Sequence, residues 1–169
     1  MKKAAFALIV LSALRVASTW TIYSATVDEP MHVSAGLEIY NQHAYTYQPE
    51  NPPLPRLVLA FAPWLGGVEF DARRTIAEQL LRVFYSGGRY KTNLVLARAG
   101  NLLFFVLGSI AVWLWARRLL GDKGALIATA LFTLQPMIAG HAGLATHDMA
   151  ATAGVAWSLY AFSRWLDEQ

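Results

Sequence analysis

The stretch that decides the fold is Leu94–Ala116, LVLARAGNLLFFVLGSIAVWLWA, in which Arg98 is the one charged residue. A helix of this length crosses the roughly 30 Å of hydrocarbon in a bilayer at about 1.5 Å per residue. Outward from it lie three more apolar runs. Ala4–Ala25 is broken only by Arg15 and a few hydroxyls, 125–140 carries Gln135 and Pro136 near its end, and 149–166 closes the chain. The pattern predicts an all-α integral membrane protein with about four transmembrane helices, at 4–25, 94–116, 125–140 and 149–166. A long outer loop, 26–93, separates the first two.

Composition agrees. Of 169 residues, 56% are hydrophobic and 15% charged, against about 45–50% and about 25% in average soluble domains. That excludes a disordered chain, which needs few apolar residues. The net charge of +3 leaves no basic stripe to meet a phosphate backbone, so nucleic acid is not an expected partner. With no cysteine there is neither a disulfide framework nor a thiolate metal site. Mean hydropathy is +0.36 and the pI is about 9.3. On a membrane protein such a pI reflects Lys and Arg on the cytoplasmic side.

Charge sets the direction. Lys2 and Lys3 precede the first run, Arg117, Arg118 and Lys123 lie in the short link after the second, and Arg164 closes the fourth. The positive-inside rule puts all three groups in the cytoplasm, with 26–93 and 141–148 outside. The expectation is a multi-pass protein of the cell membrane, a bacterial inner membrane, with both termini cytoplasmic. The outer loop holds six cations, but the rule applies to short loops. A cleaved signal peptide ending at Tyr23-Ser24-Ala25 is the other reading of the first run. Arg15 is an odd guest in such a segment.

The outer loop is patterned. Asp28-Glu29-Pro30 reads as a helix start, with the helix running to about Gln42. The prolines of Tyr45–Pro55 (YTYQPENPPLP) point to an extended path. Arg56–Leu65 is too short to span and reads as an interfacial helix. Asp71–Phe84, with Ile76, Leu80 and Phe84 on one face, reads as a second, broken at Ser86-Gly87-Gly88. There is no internal repeat.

Charges beside apolar membrane segments each need a reason. Asp28 and Glu29 stand outside the first span, at a helix N-terminus whose dipole favours carboxylates. They suit a general base or a divalent-cation ligand, or a plain cap. His147 and Asp148 stand at the mouth of the fourth span, where Asp148 too could be a cap, and His141 stands at the exit of the third. The expected topology brings Asp28 and Asp148 to one face, which suggests a shared pocket. Arg15 reads as a cation buried among helices. Arg98, with Asn101 nearby, reads as a phosphate ligand or as a snorkelling side chain. Glu50-Asn51-Pro52-Pro53-Leu54 is a stiff segment that places its neighbours with little entropy. His32, His43, His141 and His147 form no zinc-binding spacing.

The order of these features resembles a family. An N-terminal span is followed by Asp28-Glu29, a helix and Asn51-Pro52-Pro53-Leu54. A span beginning Ala97-Arg98 then leads to a basic link with Gly121, and a last span starts at Asp148. This is similar to the N-terminal part of the GT-C membrane glycosyltransferases, in the protein O-mannosyltransferase and aminoarabinose-transferase-like branch. The resemblance implies a GT-C-like N-terminal portion whose C-terminal remainder is absent. It implies transfer of a sugar from a polyprenyl-phosphate carrier to an acceptor (protein, lipid or glycan) outside the membrane. The lipid bilayer would be its setting.

In that family's terms Asp28, Glu29 and Asp148 are the catalytic acids. Arg15, Arg98, Glu50, Asn51 and His147 would contact substrate. A divalent cation on Asp28, Glu29 and Asp148 is one way to neutralise the leaving phosphate. Asn51 stands where aminoarabinose transferases often carry a phosphate-binding Lys, so another cation must do that work. The competing readings are a non-catalytic four-span scaffold or subunit, an inactive fragment of such an enzyme, and a small transporter. Against the last, no inverted repeat is visible.

Overall fold

A computed structural model describes residues 1–168. Among them there is no strand. Helix α1 spans Lys2–Ala17, α2 Asp28–Gln42, α3 Pro53–Leu65 and α4 Ile76–Arg82. A 3-10 turn at Ser86–Gly88 precedes α5, Tyr90–Leu134, which is followed by α6, Pro136–Ala142, and α7, Asp148–Asp167. By length and composition, α5 is the one described helix able to cross a membrane.

The chain divides into two compact units. The first comprises Met1–Ala17, Leu102–Ala142 and the C-terminal segment from Asp148. Its helices bury narrow stripes. In α1 these are Ala5, Ile9, Ser12 and Val16, while Phe6, Leu11 and Leu14 are each more than 60% exposed. In the later part of α5 and in α7, Ile127, Leu131, Val155 and Phe162 are likewise exposed. Exposed apolar faces of this kind mark surfaces that meet a membrane or other protein. The hydroxyls fit that setting. Ser109, Thr129 and Thr133 each donate to the carbonyl four residues back, so none needs water. Within this unit Gly108 packs against Ala153, a close approach of α5 and α7 that small residues permit.

Two sequence boundaries need correction here. The first run was expected to be helical to Ala25, but α1 stops at Ala17. Beyond it, carbonyls at Trp20, Tyr23 and Ser24 leave the helical ladder to accept hydrogen bonds from Arg98. The third run, 125–140, is not one helix. Gly121, at φ 71° and ψ −174°, a conformation open to glycine alone, kinks α5. Arg117 and Asp122 pair across the kink at 2.6 Å. The helix then ends at Leu134 because Pro136 lacks an N–H and clashes with the preceding turn.

The second unit comprises Ser18–Asn101 and Gly143–His147. Its core is Val33, Leu37, Leu59, Ala60, Val68, Val83, Phe84, Leu94, Ala97 and Ala145. Here α3 lies between α2 and the start of α5, and two glycines set the spacing. A Cβ on Gly36 would stand 2.1 Å from the Arg56 carbonyl oxygen, and one on Gly100 would stand 2.6 Å from that of Val58. Tyr40 stacks on Trp64 with ring centres 4.7 Å apart, and its hydroxyl donates to the Leu57 carbonyl at 3.1 Å.

The expected helix at 56–65 starts earlier, at Pro53. Prolines 53 and 55 fall in the first turn, where backbone N–H groups have no helical partner to lose. The helix expected over 71–84 is shorter, Ile76–Arg82. Thr75 caps it in a reciprocal box with Glu78, each side chain bonding the other's backbone N–H.

Candidate functional site

The two adjacent acids at the start of α2 have different fates. Successive helical residues point about 100° apart, so Asp28 and Glu29 face different surroundings. Glu29 is fully buried. Its carboxylate takes both ends of the Arg98 guanidinium, Nε at 2.7 Å and Nη2 at 2.9 Å. It also accepts the backbone N–H of Ala145 at 2.9 Å and of Thr26 at 2.7 Å. The residue preceding the helix is Val27, and no side chain there caps it. Glu29 instead reaches back to Thr26. Burial pushes the Glu29 carboxyl up, but the Arg98 guanidinium and the Ala145 and Thr26 amides outweigh it and hold the pKa below its ordinary value.

Arg98 is 1% exposed. Its remaining donors go to the carbonyls of Trp20 at 2.6 Å, Tyr23 at 3.0 Å and Ser24 at 3.1 Å. All five guanidinium N–H groups are therefore used. The expectation that Arg98 meets a phosphate, or snorkels to headgroups, is corrected. It is a buried clamp that ties residues 20–24, α2 and α5 together.

Asp28 is exposed and has no hydrogen bond or ion pair among the described residues. Four residues on, on the same helical face, stands His32, 6% exposed. Its Nε2 lies 3.0 Å from Nδ1 of His147, and the rings meet edge to face with centres 4.6 Å apart. A free carboxylate and a pair of imidazoles thus share one face of α2.

A second buried cation, missed in the sequence, supports this face. Arg56 is fully buried in α3. It donates to Nδ1 of His32 at 3.3 Å, the Tyr45 hydroxyl at 2.9 Å, the Gln48 carbonyl at 2.8 Å and the Gln48 side chain at 2.7 Å. Glu38, 4% exposed, accepts the N–H groups of Thr46 at 3.0 Å and Tyr47 at 2.9 Å. It also takes the Thr46 hydroxyl. The loop after α2 is thereby folded around two buried ions. The signal was present: a charge inside the apolar run PLPRLVLAFAPWL, and an acid in the middle of α2.

Asp148 begins α7 in the other unit and pairs with His141 Nδ1 at 3.3 Å, both about half exposed. Arg15 lies in the last turn of α1 and is exposed, not buried among helices. A cation suits a helix C-terminus. Glu50 is exposed, and its side chain makes no hydrogen bond or ion pair among the described residues. Asn51 offers its backbone carbonyl to the Tyr45 hydroxyl at 2.5 Å. Among the described residues, no three His, Asp or Glu side chains gather as a metal site. Glu29, with its oxygens committed to Arg98 and two amides, does not fit a cation ligand. A broad cleft of about 900 Å³ lies elsewhere in this unit, lined by Glu69, Asp71, Arg73, Arg74 and Arg82, and none of the nominated residues lines it.

No curated protein and no solved structure matches the chain. A family model does: residues 90–169 match the model described as dolichyl-phosphate-mannose-protein mannosyltransferase. The match takes in Arg98, His147 and Asp148 and leaves α2, α3 and α4 outside it. The match over residues 90–169 supports a GT-C-like mannosyltransferase fragment, as the order of the motifs implied.

Proposed function

We propose that the chain contributes the acceptor-activating part of a GT-C-type glycosyltransferase, which moves a sugar from a polyprenyl-phosphate carrier to a hydroxyl acceptor on the outer side of the membrane. The observation that carries this reading is the contrast between Asp28 and Glu29. Glu29 is neutralised and fixed by Arg98, whereas Asp28 keeps an exposed carboxylate with no protein partner among the described residues.

In this reading Asp28 takes the proton of the acceptor hydroxyl as its oxygen attacks the anomeric carbon. The bond from that carbon to the phosphate oxygen breaks, and the lipid phosphate leaves with the electron pair. A phosphate is a stable anion, so it needs hydrogen bonds and charge rather than a proton. Glu29 and Arg98 act as the rigid base on which Asp28 stands, while His147 approaches the carrier. The proposed topology has four crossings, with 26–93 and 141–148 outside and both termini in the cytoplasm of a bacterial cell. It rests on the placement of Lys2, Lys3, Arg117, Arg118, Lys123 and Arg164.

The test is a transfer assay. Membranes carrying the intact protein are incubated with a panel of labelled polyprenyl-phosphate sugars, with and without chelator. Transfer above that of membranes carrying the Asp28→Asn protein is expected from at least one donor. Equal transfer by the two sets of membranes contradicts the reading.

A further inference from the structure

The hydrogen-bond chain Arg56–His32–His147 has a direction that chemistry fixes. A guanidinium is always protonated and only donates. Arg56 is fully buried, and no carboxylate pairs with it among the described residues. Its Nε–H points at Nδ1 of His32, so that nitrogen must keep its lone pair. The neutral His32 ring then carries its proton on Nε2. That proton faces Nδ1 of His147 at 3.0 Å. Nδ1 of His147 must in turn be an acceptor, since two N–H groups cannot face each other at this distance. The neutral His147 ring is left with its proton on Nε2. His147 is half-buried, and its Nε2 has no protein partner among the described residues.

We infer that Arg56, acting through His32, locks His147 in the Nε2–H tautomer, so that His147 offers a hydrogen-bond donor to an anionic phosphate oxygen and cannot serve as a base. The inference rests on the proposed function for the identity of that oxygen, the phosphate of the sugar carrier. The division of labour on this face of α2 follows. Asp28, with only lone pairs, is the acceptor of protons, and His147, with only an N–H to give, stabilises the departing phosphate. His147 touches the substrate, and Arg56 and His32 are positioning residues. No carboxylate is needed to orient the ring, because a buried cation two steps away does so.

The experiment uses the intact protein, labelled with ¹⁵N-histidine and held in lipid nanodiscs. Nitrogen shifts report which ring nitrogen carries the proton. The expected spectrum shows His147 with a bare Nδ1 and a protonated Nε2. A His147 protonated on Nδ1, or on both nitrogens at neutral pH, overturns the inference. Farnesyl phosphate is then added as the probe, with farnesol and inorganic phosphate as separate arms. The expected result is a shift at Nε2 of His147 with farnesyl phosphate and none with farnesol. An equal response to inorganic phosphate alone would still locate an anion donor but overturn the lipid assignment. No response to either phosphate overturns the inference as a whole.

Turnover gives a third readout. His147→Gln, which can place an amide N–H near the same point, should keep most of kcat, whereas His147→Phe should lose about 10²-fold, the scale of one oxyanion donor. Equal loss in both variants marks a merely structural ring. If Asp28→Asn keeps full transfer, the proposed function fails while the tautomer measurement still stands or falls by itself.

Discussion

Replacing Arg98 with methionine should be among the most damaging single changes in the second unit. The guanidinium is 1% exposed and its partner carboxylate 0%, so the substitution strands a buried anion. Three carbonyls, at Trp20, Tyr23 and Ser24, lose their donor at the same time. Removing one partner of a buried pair costs about 3–5 kcal/mol, against at most about 1 kcal/mol for an exposed pair. Arg98→Met should therefore destabilise the folded state by about 4 kcal/mol. Glu29→Leu leaves a buried cation and should cost a similar amount. The double variant removes both charges together and should recover at least about 2 kcal/mol of the summed loss, the coupling that a double-mutant cycle isolates.

The pH dependence carries a sign as well. In the native protein the Glu29 pKa is depressed below its ordinary value of 4.5. The pair's stabilisation is thus fully present above that value and is lost as pH falls through the lower, folded one. Without Arg98, burial is opposed only by the Ala145 and Thr26 amides, so the Glu29 pKa should lie higher in the Arg98→Met variant than in the native protein, and the loss of stability on the acid side should flatten. The assay is denaturant unfolding in detergent, followed by tryptophan fluorescence, at several pH values. Single-variant losses below about 1 kcal/mol that simply add, with an unchanged pH slope on the acid side, would refute the argument.

Three further outcomes are expected. Gly36→Ala forces a methyl group to within 2.1 Å of the Arg56 carbonyl oxygen, an overpacking that should cost about 1–3 kcal/mol. Unchanged unfolding would show that α2 and α3 can separate freely. Glu38→Gln replaces charge-assisted hydrogen bonds to Thr46 and Tyr47 with neutral ones. Amide hydrogen exchange at those two residues should speed up relative to the rest of the loop, and unaltered exchange would contradict the role given to Glu38. Gly121→Ala places a side chain at φ 71° and should cost about 1–3 kcal/mol, seen as a lower Tm. An unchanged Tm would mean that the kink adopts another conformation.

What the sequence made legible was what depends on nearby residues. The start and end of α2 at Asp28 and Gln42, the opening of α7 at Asp148 and the break at Gly121 all follow from local chemistry. The expected interfacial segments are both helical at their centres. What escaped depends on distant partners. The end of α1 at Ala17 precedes carbonyls committed to Arg98, more than 70 residues away. The helical Pro53–Pro55 turn required that the prolines fall in the first turn rather than the interior. Asp28 and Glu29 are alike by composition and adjacency, and only their different directions from α2 separate a free acid from a locked one. Arg56 passed as one loop cation among several, because its burial against His32 and Gln48 is tertiary.

The most direct test of the central claim compares the two neighbouring acids in the intact protein. Labelled sugar transfer from a polyprenyl-phosphate donor is measured for wild type and Asp28→Asn, with unfolding curves recorded for the same preparations. The expected result is a loss of turnover of about 10²–10⁴-fold, the scale of a lost general base, at wild-type stability. Wild-type turnover in a folded Asp28→Asn protein would contradict the account.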